Sequence, residues 1–192
     1  MKSKLNLPNN INRLLLSETP LWAGWIGRCN LGSKVKSMCL SRLLNAHGLH
    51  LGPGCVVQGS KFIHFGRNEV SFSEGVHITC IDRISIGRGV LFGSRVYVSD
   101  HNHGIYKGPL QSHPQEPPTQ RKLGGGGVVE IGDHVWIGDN AVIVGPITIG
   151  RGSIVGANSV VRADVPEFTM VGGIPARALK RFEQATGQWE KL

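Results

Sequence analysis

The residues of this chain best suited to moving a proton lie together in the run Ser99-Asp100-His101-Asn102-His103. Imidazole is the side chain whose ordinary pKa lets it take and return a proton near neutral pH. Such a base can activate a hydroxyl, a weak nucleophile on its own, for attack on a carbonyl carbon. The attack also needs hydrogen-bond donors aimed at the oxyanion that develops. His101 and His103 are two positions apart, which puts both on one face of an extended strand, so spacing leaves both open as the base. Asp100 can orient an imidazole, although an aspartate at such a break also serves as a turn residue. His113 and His134 add imidazoles, but no metal-ligand spacing accompanies them, and no metal is expected.

The cluster sits where a repeat breaks. From Ile131 to Pro166 the chain reads IGDHVW, IGDNAV, IVGPIT, IGRGSI, VGANSV, VRADVP. The first position is always β-branched: Ile131, Ile137, Ile143, Ile149, Val155, Val161. The second is glycine at Gly132, Gly138, Gly150 and Gly156, and the fifth is always small or β-branched. A fixed period of six points to a parallel β-helix with three short strands per turn. The first-position side chain points inward and stacks on its equivalents, while glycine lets the backbone turn the corner with no Cβ in the way. No coil buries its own apolar face, so stability must come from stacked neighbours.

Irregular coils begin near Leu51, and from Ile86 the period firms up as IGRGVL, FGSRVY and VSDHNH. Between His103 and Val128 it stops, in a stretch holding Pro109, Pro114, Pro117, Pro118 and Gly124 to Gly127. A long loop inside a compact domain is usually functional. The repeat resumes at Glu130-Ile131, so the loop is an excursion from one corner and no domain boundary. The expected organisation is all-β: a capping segment over 1–50, a β-helix over 51–166 with its loop at 104–128, and a C-terminal helix within 167–192. Pro175 suits the first turn of that helix, with Leu179, Phe182 and Ala185 sharing a face. A short helix is also expected from Ser33, as N-cap, to Gly48.

A length of 192 residues suits one domain, and the 27 glycines are explained as corner residues. Cys29, Cys39, Cys55 and Cys80 form no CxxC pair, and read as small hydrophobes in a reducing compartment. Neither a secretory leader nor an apolar run of spanning length is seen, so a cytoplasmic protein is expected. Net charge is +8, with seven Lys or Arg against Glu18 alone in residues 1–42. That asymmetry fits a solvated surface or attraction to an anionic membrane leaflet. Nucleic acid is not expected, because no aromatic interleaving or binding module accompanies the charge.

The stretch VEIGDHVWIGDNAVIVGPITIGRGSIVGANSVVRADVPEFTMVGGIPARALKRF resembles the C-terminal half of the hexapeptide-repeat acyltransferases. Nearest in pattern are the maltose and galactoside O-acetyltransferases and the polysaccharide or lipopolysaccharide O-acetyltransferases, over about residues 84–182. The resemblance implies a left-handed coil, a homotrimer with sites between subunits, acetyl-CoA as donor and a saccharide hydroxyl as acceptor. In the sugar enzymes the catalytic histidine stands five positions after an inward aliphatic residue; counted from Val98 that is His103, with His101 the rival. The backbone at Gly156, Ala157, Asn158 and Ser159 would face the cofactor's pantetheine, and Arg162, Arg177 or Lys180 its phosphates. Trp136 takes the place of a family tryptophan beside the acceptor pocket and is grouped with Gly138 on the cofactor side. His77, where the sugar enzymes carry asparagine, joins Asp82 and Arg121 as candidate acceptor contacts. The expected acceptor is a cell-surface polysaccharide or lipopolysaccharide precursor. Serine, an amino sugar or an antibiotic is the alternative, and a non-enzymatic β-helix scaffold is the reading from another class.

Overall fold

The computed structural model describes residues 69–192 throughout. Before them it describes the strands Gly24–Ile26, Cys29–Leu31, Lys36–Ser37, His50–Leu51, Val56–Gln58 with Cys55, and Ile63–Phe65. The chain winds through three parallel sheets. The first stacks Ser71–Phe72, Leu91–Phe92, Trp136–Ile137, Ile154–Val155 and Thr169–Gly172. The second stacks Val56–Gln58, His77–Thr79, Tyr97–Ser99, Val142–Val144 and Val160–Val161. The third stacks Ile63–Phe65, Arg83–Ile86, Val128–Ile131 and Ile147–Ile149, with Val165 bridging to Ile149.

Hexad chemistry explains this winding. First-position Ile131, Ile137, Ile143, Ile149, Val155 and Val161 are buried, as are fifth-position Val135, Ala141, Ile147, Ser153, Ser159 and Val165. Each aliphatic side chain taken fully from water contributes about 1.5–3 kcal/mol, and none finds that cover within its own coil. The second-position glycines are required by close approach: a Cβ on Gly132 or Gly138 would lie 2.6 Å from the backbone nitrogen of Arg151 or Ala157 on the next coil. Left-handed backbone falls two residues later, at His134, Asn140, Gly152 and Asn158 (φ 57 to 65°). Down one corner glycine alternates with a ring: a Cβ on Gly89 would meet His134, and one on Gly152 would meet Phe168.

Outward rows distinguish the faces. On the first, Leu91, Trp136, Ile154 and Met170 stand in register; on the second, His77, Tyr97, Val142 and Val160 do. The third presents Arg83, Ser85, Val128, Glu130 and Thr148. Two faces are thus mainly apolar or aromatic and one mainly polar.

The C-terminal helix expected within 167–192 is absent. Residues Arg177–Glu183 and Gln188–Lys191 form a β-hairpin, and Arg177–Glu183 pairs antiparallel with Thr169–Gly172 at the end of the first sheet. The free edge of the last coil offers a ladder of backbone partners, which a helix cannot satisfy. Leu179 is exposed, and Phe182 meets Trp189 edge to face at 5.6 Å across the hairpin. The ladder also reaches beyond both expected ends of the coil: Lys36–Ser37 pairs with Val56 and Val57, and Met170 with Ile154. Lys36–Ser37 is therefore strand where the helix from Ser33 to Gly48 was expected; the remainder of that helix lies outside the described residues. So do most of the expected N-terminal cap and its basic cluster. Among the described residues no helix is long and apolar enough to cross a membrane.

Candidate active site

The strand Tyr97–Ser99 is held on both sides, by His77–Thr79 and Val142–Val144. Its ladder carries the chain straight into Asp100, which is wholly buried. The Asp100 carboxylate turns back to the corner of the preceding coil. Oδ1 accepts the Ile81 amide at 3.0 Å, and Oδ2 accepts those of Asp82 at 2.7 Å and Arg83 at 3.1 Å. The Cys80 thiol donates to Oδ2 at 3.3 Å. On its other side Oδ1 meets His101 Nδ1 at 2.8 Å, and the His101 side chain is only 10% exposed. Burial alone would raise the Asp100 carboxyl, but hydrogen bonds from His101, the Asp82 and Ile81 amides and Cys80 hold it below the usual carboxylate range. Asp100 is therefore ionised at neutral pH, and the proton of neutral His101 belongs on Nδ1, leaving the Nε2 lone pair to act as base. Burial, then the hydrogen bond and charge of Asp100, push the Cys80 thiol up to about 12, so it stays a thiol donor.

Ser99 closes the turn around this pair. Its hydroxyl donates to the His101 carbonyl at 2.9 Å and accepts the His101 amide at 3.2 Å. His101–Asn102 then pairs antiparallel with Gly124–Gly125 of the returning limb. The fit there needs glycine, since a Cβ on Gly124 would collide with the Gly104 carbonyl. Beyond it Gly126 N donates to the Asp100 carbonyl at 2.9 Å and Gly127 N to Asp82 Oδ2 at 2.7 Å.

The two histidines differ in how they are held. His103 is exposed, its ring centroid 6.5 Å from that of His101, and its carbonyl accepts the Tyr106 hydroxyl at 2.6 Å. No carboxylate braces its ring among the hydrogen bonds of the described residues. Of the acceptor candidates, Asp82 holds the returning loop, and Arg121 donates within the excursion itself, to Glu116 O, Pro114 O and Tyr106 Oη. His77 lies on the second face, edge to face with Tyr97 at 5.4 Å. Among the described residues its buried Nε2 has no hydrogen-bond partner, and burial lowers its pKa.

The cofactor candidates lie apart from the loop, on the last coils. Trp136 is 51% exposed on the first face, and Ala157 and Asn158 are exposed at a corner with Gly156 beside them. Gly138 packs beneath Ala157. Ser159 differs, because its side chain is buried and its hydroxyl accepts the Gly173 amide at 3.1 Å. Arg162, Arg177 and Lys180 are exposed cations near the C-terminal end. Among the described residues no group of three or more His, Cys, Asp or Glu side chains is arranged to hold a metal ion. Sequence reasoning missed the Cys80-to-Arg83 corner as the cradle of Asp100, and it missed Tyr106. The cradle's signal is a coil period of about twenty residues, which sets Cys80 beside Asp100.

A profile of the bacterial transferase hexapeptide, six repeats, matches residues 129–163. WbbJ of Escherichia coli K12, named for O-acetyl transfer in lipopolysaccharide biosynthesis, is 42% identical over 141 residues, covering 69% of this chain and 71% of WbbJ. The chain belongs to the hexapeptide-repeat transferase family. The galactoside O-acetyltransferase of the same organism is 31% identical over 62% of this chain and 54% of its own length, so the chain spans about half of that relative. Among solved structures, the N-acyltransferase AntD of Bacillus cereus superposes with a TM-score of 0.60 at 18% identity, covering 83% of this chain and 79% of AntD, a likeness of fold. Membership in this family also gives the β-helix its left hand.

Proposed function

We propose that this chain transfers an acetyl group from acetyl-CoA to a hydroxyl of a saccharide, in a precursor of a cell-surface polysaccharide or lipopolysaccharide. The reading rests above all on the Asp100–His101 pair, a buried carboxylate ordering an imidazole at the corner where the excursion leaves the coil. His101 Nε2 takes the proton of the acceptor hydroxyl as its oxygen attacks the thioester carbonyl carbon. The tetrahedral intermediate then collapses, the C–S bond breaks, and the same proton passes to the departing CoA thiolate. His103, which the family spacing favours, is the second candidate; its exposed ring would need ordering by the acceptor or by a second subunit.

The donor would lie along the last coils, with pantetheine against Trp136, Gly138, Gly156, Ala157 and Asn158 and its phosphates near Arg162, Arg177 or Lys180. The two apolar faces support self-association, and a homotrimer would bring the outward rows of first and second faces together. Action in the cytoplasm, on precursors assembled there, fits this chemistry.

The test is direct. Acetyl-CoA at 100 times its dissociation constant should raise the unfolding free energy by about 2.7 kcal/mol. CoA release should then be followed with neutral saccharides, acidic saccharides, serine and an aminoglycoside. Release with serine or the aminoglycoside alone would change the acceptor class. No stabilisation by acetyl-CoA and no CoA release with any acceptor would sink the reading and favour a scaffold.

A further inference from the structure

Between His103 and Gly124 the chain closes around one guanidinium. Arg121 Nε donates to the Glu116 carbonyl at 2.9 Å, one terminal nitrogen to the Pro114 carbonyl at 3.0 Å, and the other to Tyr106 Oη at 3.1 Å. The Tyr106 hydroxyl in turn donates to the His103 carbonyl at 2.6 Å. Arg121 lies on the returning limb and Tyr106 on the outgoing one, so this relay ties the two limbs together. Its last atom belongs to the segment that carries both imidazoles.

Gly104 makes room for it. At φ 130° a Cβ there would stand 2.6 Å from Tyr106 Oη, so only glycine leaves space for the hydroxyl. A second closure, Ile105 N to Ser112 Oγ at 3.0 Å and Ser112 N to Ile105 O at 2.8 Å, braces the outgoing limb without touching residues 101–103. The loop therefore has a bracing bond of its own, and the Tyr106 bond adds something else. All three acceptors of Arg121 named above are neutral oxygens, so its charge strengthens Tyr106 as a donor. A planar fork can serve acceptors on both limbs at once, which a lysine ammonium cannot do in the same geometry.

We infer that Tyr106 and Arg121 are positioning residues: they fix the His103 peptide and thereby the pitch of His101–Asn102 against Gly124–Gly125, aiming the base at the acceptor. The inference rests on the function proposed above. Reacting groups displaced by about 1 Å can lose on the order of a hundredfold in rate, and losing one hydrogen bond of the relay relaxes the segment by less. Tyr106→Phe is expected to lower kcat about tenfold, with KM for acetyl-CoA within about twofold and the melting temperature unchanged. Arg121→Gln should do the same, and the double variant should be no slower than the worse single one, because both act through one relay. Arg121→Lys should not restore the rate. Lys107→Ala, exposed on the same loop, serves as the control with unchanged kcat.

An active wild type whose kcat is indifferent to Tyr106→Phe overturns the inference. So does a variant in which kcat, KM and melting temperature all deteriorate together, the mark of a merely structural loop. A wild type that releases no CoA with any acceptor defeats the proposed function instead. In that case the imidazole proton resonances of His101 and His103 decide: they should move in Tyr106→Phe and not in Lys107→Ala, and unmoved resonances overturn the inference.

Discussion

The coils over 128–172 and the excursion that precedes them are held together by different means. In the coils the strands are hydrogen-bonded to their neighbours in continuous ladders, and Ile131, Ile137, Ile143 and Ile149 are stripped of water by their equivalents. In the excursion almost every bond is a particular one: Tyr106 to His103, Arg121 to Pro114, Ser112 to Ile105. Leu110 stands 82% exposed there. Repetition supplies stability that no single residue controls, and irregularity supplies groups that no neighbour duplicates. The proposed site lies on the seam, with Asp100 buried at the end of a coil and His103 exposed where the excursion begins.

That contrast can be broken by substitution. His101→Ala should lower acetyl transfer by about 10²–10⁴-fold, the range of a lost general base, while the unfolding midpoint in urea stays put. A shifted midpoint with retained activity would place His101 among the coil's structural residues. Ile143→Ala, in the coil, should do the reverse: about 2–5 kcal/mol of unfolding free energy lost for a fully buried isoleucine, with the remaining folded fraction active. Gly138→Ala should cost about 1–3 kcal/mol by overpacking against Ala157, and Leu110→Ala no more than about 0.5 kcal/mol. Equal losses at Gly138 and Leu110 in calorimetry would erase the distinction between the regions.

The smallest effect is in pH. His77 is held below its ordinary value of 6.5 by burial, so its share of stability is present above pH 6.5 and is lost as pH falls through the folded pKa. Asp100 is held below 3.8, so its share is present above that pH and is lost as pH falls through its own, lower folded pKa. Urea titrations from pH 7 to pH 2 should show two declines. His77→Gln should remove the upper one, and Asp100→Asn, less stable throughout, should lack the lower. A single decline unaffected by either variant would contradict both assignments.

Much of this was legible in the residues. Six β-branched first positions and four glycines suffice for a β-helix, because a solenoid states its packing rule anew in each turn. The break at His103 was legible for the same reason. The C-terminal hairpin was not: Leu179, Phe182 and Ala185 fall at helical spacing, yet Arg177–Glu183 is exposed at all but Phe182, so no buried face exists for periodicity to report. Edge pairing with Thr169–Gly172 decides it. Thr186-Gly187, with Gly187 at φ 67° between Phe182 and Trp189, was the available hairpin signal. The ranking of His103 over His101 followed family spacing. What favours His101, an Asp100 carboxylate cradled by amides a coil away, depends on neighbours distant in sequence.

Arg83 pairs with Val128, 45 residues along, whereas one coil later Val142 pairs with Val160, only 18 along. The register on either side is the same, so the extra length is invisible to the coil. Lengthening such a loop is cheap as well, about 0.6 kcal/mol for each doubling. The corner after Asp100 is therefore a socket: an insert of another length costs the frame little, provided its two limbs leave and return side by side. Evolution, or a designer exchanging residues 104–123 between relatives, can rewrite what stands over the proposed base without renegotiating the frame beneath it.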